Sequence, residues 1–442
     1  LIRGIPRKRT ARIGGARRCA TARPHLVAVR SGRGADGAAR GNVASVSTAE
    51  HAQGTAVVEP EVLVRTEGAL GWITLNRPRA LNALNVGMIR TVHAALDAWR
   101  DDSDIEIVYI DGAGERGLCA GGDVRELHRQ ITAGRSTDTV EFFREEYTMN
   151  AAIAEYPKPI VAIADGITMG GGIGVAGHAA IRVITERSQL AMPEVRIGFT
   201  PDVGGTWLLG HAPGRLGEFL ALTAGTMNGS DALYAGFADF FVPSERLGAL
   251  RDALAHRADP TGPSEIVMLF DETPDPSPLS AQQGWIDEAF SADTVPEIIA
   301  HLRARASETD RSLSERATAD RSLGERVTAD RSPSERSETK GARPAPAATA
   351  DLLESLAPTA LVVTLDAVRE ARAMDSVRDA LAGEYRRVLW FVHHHPDLVE
   401  GIRAQLIDKD RNPRWDPQTL GDLAPDAGAE ARDYVPPVPL WA

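Results

Sequence analysis

The sequence predicts an α/β protein built on a largely parallel sheet, and two observations carry that expectation. Apolar runs of strand length recur along the chain, each closed by glycine or a polar turn. Amphipathic stretches with helical spacing fall between them, and strands alternating with helices favour parallel pairing. At 442 residues, 43% of them hydrophobic, the chain is long enough to bury a large core.

The folded body begins near Pro60. Glu61–Thr66 alternates as a strand does, residues 68–71 form a turn, and Trp72–Leu75 makes the second arm of a hairpin that Pro78 ends. Over Asn85–Arg100, residues Met88, Ile89, Val92, Ala95, Leu96 and Trp99 recur at helical spacing. Ile105–Ile110, Lys158–Ala164 and Ala180–Thr185 read as strands. Helical patterning returns at Ala350–Met374, interrupted by Pro358, and at Ser376–Val392. Four regions are expected: a basic extension (1–58), an α/β core (59–302), an insertion (303–347) and a helical lobe (348–442).

Composition narrows the function. The net charge is −12, but residues 1–50 carry eleven Lys/Arg against Asp36 and Glu50, so the remainder is strongly acidic. An acidic body repels nucleic acid and membrane surfaces, and no run approaches the ~20 apolar residues of a membrane helix. Cys19 and Cys119 alone cannot make a disulfide framework, and no Cys/His cluster offers a structural zinc site. The arginine-rich extension lacks the apolar centre of a secretory signal. It reads as an organellar presequence, a nucleic-acid-binding arm or translated upstream sequence, with Leu1 favouring the last. A cytoplasmic location is expected, or the mitochondrial matrix if the extension is a presequence. Residues 307–340 repeat with period ten (Arg311-Ser-Leu-Ser-Glu-Arg316 and its copies), too short and too polar to fold as a solenoid.

Three segments carry the chemistry. Leu118-Cys-Ala-Gly-Gly-Asp123 and Ile167-Thr-Met-Gly-Gly-Gly172 are glycine-rich turns after apolar strands. Glycine lets the backbone approach a ligand and point N–H groups at it, and two such donors aimed at one oxygen make an oxyanion hole. Neither turn has the G-x-G-x-x-G form of a dinucleotide site. The third segment, Met192 to Gly205, holds Glu194 and Asp202 among apolar residues. Burial would tune both carboxylates for acid–base or nucleophilic work. The plainer alternative has Asp202 capping the following helix and Glu194 paired with Arg196.

The order and spacing of these segments resemble the crotonase superfamily, whose members bind acyl-CoA and stabilise an oxyanion with two backbone N–H groups. The resemblance implies a spiral of ββα units, oxyanion donors at Gly122 and Gly171, and Ala120 along the CoA adenine pocket. Hydratases of the superfamily place a glutamate where this chain has Gly174, which disfavours adding water across a double bond. Phe142-Phe-Arg-Glu-Glu-Tyr147, Pro201–Gly205, and Glu400–Asp410 followed by Pro413-Arg-Trp415 resemble the 3-hydroxyisobutyryl-CoA hydrolase family of valine degradation. That family's substrate site maps onto Glu146, Gly171, Glu194 and Asp202.

The expected activity is therefore thioester hydrolysis, with Glu194 as nucleophile or general base, Asp202 in proton transfer and Glu146 at the substrate hydroxyl. The expected partner is a small acyl-CoA, with neither nucleic acid nor membrane; no cofactor is needed, and superfamily relatives suggest a homo-oligomer. No metal is expected: His393, His394 and His395 are adjacent in sequence and cannot all face one ion. The rivals are a hydratase or isomerase on the same fold, and a non-catalytic protein binding RNA or a protein partner through its basic arm.

Overall fold

The computed structural model describes residues 59–257, 262–308, 345–424 and 426–441. The basic extension and the ten-residue repeats beyond residue 308 lie outside the described residues.

The hairpin forms as expected. β1 (Val62–Glu67) pairs antiparallel with β2 (Leu70–Leu75), Val62 opposite Leu75. Asn85 accepts a hydrogen bond from the Met88 N–H at 2.9 Å and so caps α1 (Val86–Arg100), which buries the six residues marked by the periodicity. The chain continues through β3 (Ile107–Gly112), α2 (Val124–Thr132), α3 (Ser136–Ala154), β4 (Ile160–Ala164), β5 (Ile167–Met169), α4 (Gly171–Ala176), β6 (Ile181–Ile184) and β7 (Gln189–Ala191). A 3-10 turn at Glu194–Ile197 precedes α5 (Gly205–His211), α6 (Leu216–Thr223), α7 (Gly229–Tyr234), β8 (Phe240–Phe241), α8 (Leu247–Ala255), α9 (Pro263–Met268) and α10 (Gln283–Phe290). Helix α11 spans 295–308, followed by α12 (Pro346–Ser355), α13 (Pro358–Ala371), α14 (Val377–His394), α15 (Asp397–Ile402) and α16 (Ala427–Asp433).

The large sheet has the order β1-β2-β3-β4-β6-β8, and every pairing after the hairpin is parallel. At its centre β4 and residues 107–110 of β3 are apolar because both faces are covered. Val108, Ile110, Ile160 and Ala162 enter the main core, while Ile107, Tyr109, Val161 and Ile163 meet Leu250 and Leu254 of α8 and Ile266 of α9.

Successive windings add a second layer. β5 and β7 pair in parallel, and bridges from Gly117 to Gly166 and Cys119 to Thr168 carry the first glycine turn into that small sheet. Each winding thus supplies one strand to the large sheet, an extended segment to the small one, then a helix or 3-10 turn. That is the ββα spiral of the crotonase fold, and it stacks the three site segments at one end.

The C-terminal helices share the main core. α13 packs on α5 and α6, and α14 on α3. Pro358 opens α13 and Ser376 caps α14, so both interruptions in the pattern are helix starts. Two boundaries shift: α11 runs to 308 and α12 begins at Pro346, so residues 303–308 and 346–347 are helical where the sequence pattern places the insertion.

Candidate active site

The two glycine turns lie side by side, and two carboxylates lie against the second of them. A carbon added at Gly171 would sit 3.2 Å from the Gly122 nitrogen and 2.6 Å from Glu146 Oε1. One added at Gly170 would sit 2.9 Å from Glu194 Oε1. Glycine is required here twice over, because Gly121 and Gly170 also hold φ of +111° and +48°. The Gly122 and Gly171 N–H groups have no backbone acceptor among the described residues. Gly171 begins α4, whose dipole adds positive potential at that point.

All six sequence-predicted residues (Ala120, Gly122, Glu146, Gly171, Glu194 and Asp202) line one cavity of about 300 Å³. Val124, Leu127, Phe142, Phe143 and Phe199 make the rest of its wall largely apolar. Glu146, Glu194 and Asp202 are 2%, 7% and 6% exposed, and none is ion-paired among the described residues. Glu146 Oε1 and Glu194 Oε2 are buried with no hydrogen-bond partner.

Burial, then the charge of Asp202, raises Glu146 and Glu194 well above the usual carboxylate range. Asp202 is pushed up to about 7 by burial, against the opposing effect of a hydrogen bond from Tyr147. Three carboxyls in one apolar cavity cannot all ionise, so near neutral pH the cluster holds protons it can exchange.

Both plainer alternatives fail. Asp202 does not cap α5 with its side chain; its Oδ2 accepts from the Tyr147 hydroxyl at 2.9 Å. Glu194 is not paired with Arg196, whose guanidinium instead donates to the Thr223 carbonyl at 3.3 Å.

Sequence pattern assigns no role to several site residues, although Tyr147, Gln405 and Leu406 lie inside the motifs that carry the family resemblance. Tyr147 follows Glu146 directly on α3, and its contact with Asp202 spans 55 residues. Glu384 on α14 bonds the N–H groups at the start of α5. A signal for it exists: Glu384 falls at helical spacing between Leu381 and Val388, on the apolar stripe of its helix. The Glu400–Asp410 segment supplies Gln405 and Leu406 to the cavity wall from a π-helical turn at Arg403–Ile407. Arg403 braces it by bonding Glu400, Asp408 and Asp410. α15 meets the Glu194 turn backbone to backbone, because a carbon at Gly401 would lie 2.3 Å from the Ile197 carbonyl.

Other groups are set aside by their surroundings. Burial pushes the Cys119 thiol up to about 12, so no thiolate is available. His393 bonds the Tyr434 hydroxyl at 2.7 Å, whereas His395 lies against Trp390 with ring centroids 4.0 Å apart. Gly174 has no room for a side chain, since an added carbon would lie 2.7 Å from Asn150 Nδ2 and 2.8 Å from Val203 Cβ.

The chain also matches known proteins over most of its length. A family model described as enoyl-CoA hydratase/isomerase matches residues 70–431. The chain is 38% identical over 372 residues to the 3-hydroxyisobutyryl-CoA hydrolase, mitochondrial, of Danio rerio, covering 82% of this chain and 87% of that one. The rat enzyme of the same name is 37% identical over 82% of this chain and 86% of its own. The solved structure of a carnitinyl-CoA dehydratase from Mycobacterium thermoresistibile superposes with a TM-score of 0.73 at 41% identity, over 86% of this chain and 98% of that one.

Proposed function

From the premise that this chain belongs to the 3-hydroxyisobutyryl-CoA hydrolase family, within the enoyl-CoA hydratase/isomerase superfamily, we propose that it hydrolyses the thioester of 3-hydroxyisobutyryl-CoA or a close β-hydroxyacyl-CoA to the free acid and CoA. One observation carries the reading: Glu146, Glu194 and Asp202, none of them ion-paired among the described residues, share a largely apolar cavity with the Gly122 and Gly171 N–H groups, which have no backbone acceptor there.

The thioester oxygen sits between those two N–H groups, each such donor contributing ~3 kcal/mol to a tetrahedral transition state. Glu194 either attacks the carbonyl carbon to give a mixed anhydride, or takes a proton from a water that attacks. In both routes the oxyanion collapses and the C–S bond breaks. In the first, the leaving sulfur takes a proton from Asp202, which regains one from the water that then cleaves the anhydride to the free acid and the Glu194 carboxylate. In the second, the sulfur takes the proton that Glu194 drew from the attacking water. Asp202 exchanges the proton with water, and Glu146 meets the substrate hydroxyl. No step uses a metal or cofactor.

Dehydration is hydration run backwards, so the likeness to the mycobacterial carnitinyl-CoA dehydratase favours a hydratase reading. Against it, Asn150 and Val203 fill the space that a second glutamate at position 174 would need. Wild-type protein given 3-hydroxyisobutyryl-CoA and crotonyl-CoA separately decides the matter. Release of free thiol from the first with negligible hydration of the second supports the hydrolase, and hydration without thiol release overturns it.

A further inference from the structure

We propose that Glu384, carried by the C-terminal lobe, is a positioning residue for Asp202: its carboxylate clamps the strained turn that aims Asp202 into the cavity. The inference deepens the proposed function and rests on Asp202 being the proton-transfer group.

The turn is strained. Val203, buried and β-branched, sits at φ +54°, followed by Gly204 at +78°. Left-handed backbone is unfavourable for a β-branched residue and persists only where the surroundings over-determine it. α5, which follows, has only seven residues, and its cap residue Gly204 has no side chain to satisfy the first N–H groups.

Glu384 supplies what the turn lacks. Its Oε2 accepts from the Gly204 N–H at 2.6 Å. Its Oε1 accepts from the Thr206 N–H at 2.9 Å and the Thr206 hydroxyl at 2.5 Å. The glutamate is 1% exposed and has no ion-pair partner among the described residues, so nothing else explains a buried carboxylate there. Two further groups hold neighbouring points: His178 Nε2 lies 2.8 Å from the Val203 carbonyl, and Tyr147 reaches the Asp202 carboxylate. Among the described residues Glu384 is the side chain that accepts from the backbone N–H groups of residues 204 and 206, and so it fixes the direction in which Asp202 leaves the turn.

The arrangement also explains why the C-terminal lobe belongs to the enzyme. Without α14 the core would retain Asp202 but not the clamp that orients it. A displacement of about 1 Å at a reacting group can cost on the order of 100-fold in rate.

The test is a cycle of Glu384→Ala and Asp202→Asn, each alone and together, read as thiol release from 3-hydroxyisobutyryl-CoA. Glu384→Ala is expected to lower kcat on the order of 100-fold with KM nearly unchanged. In the Asp202→Asn background the same change should have little further effect, because Glu384 acts through Asp202. The isosteric Glu384→Gln keeps an acceptor for Thr206 but turns an amide N–H toward Gly204; it should show a smaller loss with the same non-additivity, and it replaces the alanine variant if that fails to fold. Losses that multiply in the double variant, a loss confined to KM, or wild-type kcat in a folded Glu384→Ala would each overturn the clamp. Wild-type activity in Asp202→Asn would instead remove the role of Asp202 on which the clamp depends.

Discussion

Two buried glutamates of this chain live under opposite rules. Glu218, on α6, is fully buried and surrounded by cations: Arg215 at 2.8 Å, Arg372 at 2.9 Å and Arg369 at 3.9 Å. Glu194 is nearly as buried, yet no cation is paired with it among the described residues, and its Oε2 has no partner. An isolated buried carboxylate costs several kcal/mol, so a fold that needs one for architecture neutralises it, as α6 and α13 do for Glu218. An unneutralised one persists where its displaced pKa does work. The same contrast separates Arg387, buried between Asp366 and Glu370, from the unpaired cluster around Asp202. Charge pairing thus sets Glu218 and Arg387 apart from the cavity carboxyls where burial does not. Glu384 and Asp397, buried without an ion pair among the described residues, are held by backbone N–H groups instead.

The largest expected consequence lies on the site side. Replacing Glu146 with leucine should cut kcat/KM for 3-hydroxyisobutyryl-CoA by about 100-fold or more while leaving isobutyryl-CoA, which lacks the hydroxyl, little changed. Equal losses for both substrates would remove the hydroxyl contact. On the scaffold side, Arg372→Ala should destabilise the fold by about 2 kcal/mol in urea unfolding, because Glu218 loses one of its partners, with kcat preserved. A kcat loss without destabilisation would erase the division.

A smaller effect concerns the acid limb of the rate profile. Asp202 is held near 7 by burial, with Tyr147 favouring its ionised form. Glu146, Glu194 and Glu384 are the other carboxyls that face it, and His178 adjoins its turn. If ionised Asp202 is required, Tyr147→Phe removes a stabilising bond and moves the limb to higher pH by about one unit. A limb that stays in place would assign it to another group.

The smallest effect is on stability. Burial raises the pKa of Glu194 in the folded state, so folding favours its protonated form. Its contribution is fully present below the unfolded carboxylate pKa and is lost as pH rises through the folded value. Glu194→Gln cannot ionise, so it should gain about 1 kcal/mol over wild type between pH 5 and pH 8 in parallel urea melts. A constant difference across that range would mean Glu194 does not titrate with folding.

The comparison also shows what the chain discloses before it folds. The glycine turns, α1 and the Glu194–Asp202 segment are legible because their spacing is local, a matter of turn chemistry and helical period. The spiral itself is legible only by resemblance, since no local period shows how one winding stacks on the next. Tyr147 and Glu384 escape because their partners lie 55 and 180 residues away, and sequence pattern does not encode such pairings. Glu384 on the apolar stripe of α14 is the one visible clue, a charge at a position the periodicity marks as buried.

The most direct test of the account compares Glu194→Gln with Glu218→Gln in steady-state thiol release from 3-hydroxyisobutyryl-CoA, at equal folded concentration. Loss of kcat on the order of 1,000-fold in Glu194→Gln alone, with near wild-type turnover in Glu218→Gln, is the predicted result. Turnover retained in Glu194→Gln, or lost equally in both, would contradict it.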